Sequence, residues 1–153
     1  MQQSAHFSRC KQYRYLLTRT WNDHLPRVLF VALNPSTADA TNDDPTIRRC
    51  IGFARVWGFG GVVVANLFAY RSTDPAMLSR TVDPIGPRND WWLTKLSGES
   101  ALTIAAWGIH GSLLNRDQAV LPRLKNAHHL GLTRHGHPRH PLYLPCDARP
   151  VRL

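Results

Sequence analysis

Three short apolar runs recur along the chain, each followed at once by polar or turn-forming residues. They are Val28–Leu33 (VLFVAL), Val62–Leu67 (VVVANL) and Ala101–Ala106 (ALTIAA). A short run without polar alternation marks a strand covered on both faces, the condition of a parallel sheet. The stretches between these runs carry helical spacing. Ile47, Ile51, Phe53, Ala54 and Trp57 recur at helical intervals, with Pro45 suited to the first turn and Asp43 or Asp44 to the N-cap. Gly58 and Gly60 end that helix. DPAMLS and PRNDWWLTKL read as short helices opened by Pro, and His110–Lys125 as a further helix. Upstream, Tyr13–Trp21 (YRYLLTRTW) is rich in aromatic and β-branched residues and reads as an antiparallel edge strand. His128–Thr133 (HHLGLT) gives a last, shorter strand.

Strands alternating with helices in this order predict an α/β fold, a three-layer α/β/α sandwich with a mainly parallel central sheet. The 153 residues suit one domain over 1–153, with loosely ordered tails at 1–11 and 147–153. No apolar run approaches the ~20 residues a membrane span needs, and MQQSAHFSRCKQYRY holds no apolar signal core. Cys10, Cys50 and Cys146 are far apart and lack CxxC spacing. A disulfide framework or a four-cysteine cluster therefore falls away, and a reducing cytoplasm is expected.

The charge is one-sided: 19 Lys+Arg stand against 10 Asp+Glu, for a net +9. Only Lys11, Lys95 and Lys125 among the cations are Lys. The rest are Arg, whose planar fork suits bidentate phosphate contact. The excess lies in residues 1–76 and 116–153, while the middle is neutral. A polyanionic partner, nucleic acid with DNA first or else a nucleotide, is the expectation, and a membrane is not.

In sheets of this kind ligands bind outside the carboxyl ends of the strands, so the residues after each run are the ones to read. Asn34-Pro35-Ser36 follows the first run: Asn34 can hold a water or substrate through its amide, or bond its own turn, and Pro35 stiffens the turn. Asn66 interrupts the second run near its end. A planar ligand with adjacent N–H and C=O groups, such as a pyrimidine edge, would satisfy that amide, as would a neighbouring loop. Tyr70, close behind, is a candidate for stacking on a base. His137-Pro138-Arg139-His140-Pro141 follows the last strand. Each His there is held extended by the next Pro and can donate to an oxygen gaining charge, and Arg139 can grip phosphate. Asp39, Asp43 and Asp44 suit general-base work or metal ligation, and such a cluster more often caps a helix. No GxGxxG, nucleotide P-loop, GxSxG or closed His/Cys metal spacing is present, so neither a metal nor a cofactor is expected.

The segments VLFVALNPSTADATNDDPTIRRC, VVVANLFAYRSTDP, GPRND and GLTRHGHPRHPLYLP resemble the bacterial domain-of-unknown-function family 1643 over roughly Tyr13–Pro145. More distantly, the order strand–ALNPS, strand–AN, strand–AWG, strand–HPxHPL is similar to the uracil-DNA glycosylase superfamily. That resemblance implies a uracil-DNA-glycosylase-like fold, with Asn34 positioning the attacking water, Asn66 reading the base and a His-Pro loop stabilising the departing base. His140-Pro141-Leu142 or His137-Pro138 matches the loop. Ser36 departs from the small or aromatic residue usual after the Pro, and cluster-binding cysteines are absent.

The sequence thus points to a nucleobase-recognising protein that cleaves an N-glycosidic bond of a modified or damaged pyrimidine in nucleic acid. Catalysis falls to Asn34, His140, His137 and Asp39; base binding to Asn66, Tyr70, Pro35 and Ser36; phosphate contact to Arg48, Arg71 and Arg139. Two alternatives stand beside it: a non-catalytic base- or nucleotide-binding module, and a hydrolase of a free modified nucleotide. Oligomeric state is left open.

Overall fold

The computed structural model describes all residues, Met1–Leu153. Its strands are β1 (Gln2–Phe7), β2 (Arg14–Thr20), β3 (Arg27–Ala32), β4 (Gly61–Asn66), β5 (Leu102–Ala105), β6 (Ala127–His129) and β7 (Val151–Arg152). They form one sheet in the order β1-β2-β4-β3-β5-β6-β7. β4, β3, β5 and β6 run parallel, whereas the β1–β2, β2–β4 and β6–β7 joins are antiparallel. The sheet is therefore mixed, and the expectation of a mainly parallel sheet is corrected. The terminal segments, expected as loose tails, supply β1 and β7 at its two edges. β1 joins β2 through residues 8–13, a link too short for the crossover that parallel strands need. That hairpin moves β2 one place inward from the edge position the sequence suggested.

Successive strand residues point to opposite faces, and each face has its own core. Leu29, Val31, Val63 and Ala65 pack with Leu93 and Leu96 of α2 (Asn89–Glu99). Val28, Phe30, Val62 and Val64 pack with Ile47, Cys50, Phe53 and Ala54 of α1 (Pro45–Val56). α1 begins where the sequence placed it. Asp44 is its N-cap, Oδ1 accepting from the Ile47 N–H at 2.9 Å, and Pro45 follows. Trp57 closes the helix, and Gly58 takes φ +84°, a left-handed turn that Gly adopts without steric cost.

The helix expected over His110–Lys125 is broken. A 3-10 turn covers Ile109–Asn115, then α3 (Arg116–Val120), then a second 3-10 turn over Leu121–Arg123. Leu114 and Asn115 have φ of 57° and 52°, which no right-handed helix tolerates. The break turns Arg116 inward, where Nε donates to the Leu67 carbonyl at 2.7 Å and Nη2 pairs with Asp90. Arg14 and Arg19 on β2 are buried as well. Part of the positive charge is thus internal and does not coat the surface.

Candidate functional site

β3 connects to β4 on one side of the sheet, while β5 connects to β6 on the other. Between the carboxyl ends of β3 and β5 the chain diverges, which opens the crevice where α/β sheets take ligands. A cavity of about 310 Å³ sits there. Asn34, Pro35 and Ser36 line it after β3, Asn66 at the end of β4, and Trp107-Gly108 after β5. Asp44 and Thr46 enter from the start of α1, His140 from the late loop, and Arg14 from the start of β2.

Asn34 is fixed by its neighbours. Its Nδ2 donates to the Ser72 carbonyl at 2.9 Å and to the Pro35 carbonyl at 3.2 Å. The reversed amide would set oxygen against two carbonyl oxygens, so this orientation follows from the network. Oδ1 is left as the acceptor available to a water or a substrate hydroxyl.

Asn66 has 1% exposure, and its side chain makes no hydrogen bond within the protein; Nδ2 is fully enclosed. Its main-chain oxygen is held instead, by Nδ2 of the buried Asn89 at 2.9 Å. The same Asn89 nitrogen donates to Leu67 O at 3.0 Å and so pins the end of β4. Leaving a buried amide unpaired costs about 1–3 kcal/mol, which a water or ligand in the cavity would relieve.

His140 is set by three bonds around its loop. Gly108 N–H donates to Pro138 O at 2.8 Å, Arg49 Nε donates to Pro141 O at 3.3 Å, and Leu142 N–H donates to His140 Nδ1 at 3.2 Å. An Nδ1 that accepts leaves the proton of the neutral ring on Nε2. Burial pushes the His140 pKa below the usual histidine value, with the Asp44 carboxylate pulling the other way. The ring is therefore a neutral donor at pH 7. His137 belongs to a different turn: its N–H bonds Thr133 Oγ1 at 3.1 Å and its carbonyl accepts from Thr133 N–H at 2.8 Å. Of the two His-Pro steps, only that of His140 reaches the cavity.

The remaining sequence candidates stand elsewhere. Asp39 Oδ1 accepts from the Thr41 and Asn42 N–H groups at 3.0 and 2.8 Å, bonds that hold its carboxyl below the usual range. That makes it a turn-former and not a cavity residue. Tyr70 packs edge-on to Tyr13, with ring centroids 6.1 Å apart. Arg71 lies over the Phe7 ring at 4.7 Å, and Arg48 Nη1 bonds Asp43 O at 3.1 Å on the exposed side of α1. Arg139 is exposed and packs by Gly131. None of these lines the cavity. No cluster of three or more His, Cys, Asp or Glu side chains is placed to hold a metal ion.

Arg14 is not among the sequence candidates; charged residues are seldom buried, and nothing about Arg14 alone sets it apart. It is 2% exposed, its Nη1 donates to Ala38 O at 3.0 Å, and its Nε has no partner. Burial lowers its pKa to about 10, partly offset by Asp44, so it stays cationic at pH 7. The signal available was the pair of cations, Arg14 and Arg19, inside one strand pattern: an interior strand would bury both.

The family model described as "Protein of unknown function (DUF1643)" matches residues 14–142. The chain belongs to the DUF1643 family. Comparison with curated proteins and with solved structures finds no match. The DUF1643 match runs from Arg14 to Leu142, so it spans every residue that lines the cavity, while β1 and β7 lie outside it. No helix of this DUF1643 chain is long and apolar enough to cross a membrane.

Proposed function

We propose that the cavity recognises a nucleobase and that the protein hydrolyses the N-glycosidic bond of a modified or damaged pyrimidine in nucleic acid, on a fold related to the uracil-DNA glycosylase superfamily. The observation that carries this reading is Asn66, a buried amide without a partner, in one cavity with Asn34 and His140. A pyrimidine edge offers the acceptor and donor that this amide lacks. Heterolysis of the bond leaves negative charge on the base and positive charge on the sugar. The neutral Nε2–H of His140 would donate to the base oxygen as it gains charge. Asn34 Oδ1 would hold the water that meets the sugar. Because the departing base is stabilised before attack is complete, a weak acceptor suffices where a strong general base is missing.

One observation favours a second reading, a non-catalytic binding module: the Asn34 amide is already committed through Nδ2 to Ser72 and Pro35. Incubating the protein with oligonucleotides carrying uracil, oxidised or hypermodified pyrimidines, and scoring abasic sites, separates the two. Base release that disappears in Asn34→Ala supports the hydrolase. Binding without release across the panel, unchanged in Asn34→Ala, rules it out in favour of the module. Release from mononucleotides with little salt dependence would instead mark a hydrolase of free nucleotides, since nucleic-acid binding weakens steeply with salt.

A further inference from the structure

The protein buries three arginines, and they differ in one respect. Arg19, fully buried on β2, has Asp43 on its Nε at 2.8 Å and the Asp39 and Thr18 carbonyls on its remaining nitrogens. Arg116 has Asp90 on Nη2 and Leu67 O on Nε. Arg14, on the same strand as Arg19, has no carboxylate within ion-pair distance, a single carbonyl on Nη1 and a bare, enclosed Nε. It is also the one of the three that lines the cavity. Asp44 is the carboxylate it feels most, yet that group lies beyond ion-pair reach and caps the Ile47 N–H. A buried cation without a counter-ion is unfavourable by several kcal/mol. Two of these cations are neutralised inside the protein, and the third stands at the wall of a cavity.

We propose that Arg14 binds an anionic oxygen group of the ligand, so that the cavity selects an acidic substrate over its neutral analogue. This rests on the reading that the cavity takes a nucleobase. The charge has two sources with the same chemistry: a carboxylate carried by the base, or the phosphate of the same nucleotide. In either case the planar guanidinium offers its free N–H groups to the oxygens, and the nearby Asn66 amide fixes the ring edge. The preference is expected to persist at physiological salt, because enclosed charges are screened far less than surface ones.

The test is titration calorimetry on the full chain with two matched pairs, 6-carboxyuracil against uracil and uridine 5′-monophosphate against uridine. Thermal unfolding with inorganic phosphate runs in parallel. In one pair the acidic member should bind at least about ten-fold tighter, and that pair identifies the source of the charge. Arg14→Gln should erase the preference and Arg14→Lys should retain part of it. Phosphate should raise the unfolding midpoint of the wild type and not of folded Arg14→Gln. Should Arg14→Gln fail to fold, the wild-type preference and its reduction in Arg14→Lys decide. Measurable and equal binding within both pairs, or a preference that survives Arg14→Gln, overturns the proposal while leaving base recognition intact. Phosphate stabilisation that depends on Arg14, with no pyrimidine bound, keeps the anion receptor and removes the nucleobase reading.

Discussion

The side chain of Asn34 donates to the main-chain oxygen of Ser72 at 2.9 Å, which ties the loop after β3 to the loop after β4. Ser72 N–H in turn donates to Pro35 O at 3.0 Å, so two strand ends are stapled into one rim. Position and chemistry are coupled in this residue. Asn34→Ala should lose about 1 kcal/mol of stability from the broken bond and all detectable base release. Urea unfolding and an abasic-site assay measure the two effects separately.

Asn66 makes the opposite prediction. Its amide contributes no hydrogen bond to the fold, so Asn66→Leu, nearly isosteric, removes an unpaired buried polar group. Stability should stay level or rise by up to about 1–3 kcal/mol, while binding of any pyrimidine is lost. A variant that unfolds at lower urea would show that the amide serves the fold.

His140 should titrate below the usual histidine value of about 6.5 and carry its proton on Nε2 when neutral. Folding lowers this pKa, so the associated stability is complete above about pH 6.5 and is lost as pH falls from there toward the folded pKa. Nitrogen-15 chemical shifts give both the tautomer and the midpoint. The drop in unfolding free energy from about pH 7.5 to about pH 5.5 should be smaller in His140→Gln than in the wild type.

Arg19 and Asp43 hold the loop of residues 34–44 against β2. Arg19→Ala should cost about 3 kcal/mol, the lower end for a broken buried pair, because Asp43 is part-exposed and can turn to water. The same change should weaken ligand binding indirectly, as the loop bearing Asn34 loosens. Urea unfolding read beside pyrimidine titration checks both.

The central strands were legible because VLFVAL and VVVANL are apolar without interruption, and α1 because proline, cap and spacing agree. β1 was not: QQSAHF carries no apolar pattern and is held by its pairing with β2. The break at Leu114-Asn115 was hidden for a related reason, since tertiary bonds of Arg116 override a helical pattern. In the site, Asn66 stands out by interrupting an apolar run, while strand ends lead to Asn34, Trp107 and Gly108 in the cavity wall and also to Tyr70 and Arg71 outside it. Arg71 and Arg139 follow strand ends and Arg48 lies on α1, but position along the chain does not say which way a guanidinium points. Arg14 gives no signal of its own, because a cation opening a strand pattern is most often exposed.

The cavity wall joins Arg14, near the start of the sheet, to His140, beyond its last parallel strand. No contiguous stretch of chain contains the site, so it forms only when distant segments have met, a late and slow event in folding. Ligand binding should therefore vanish at the same denaturant concentration as the sheet itself, and any partly folded form will be blind to the ligand.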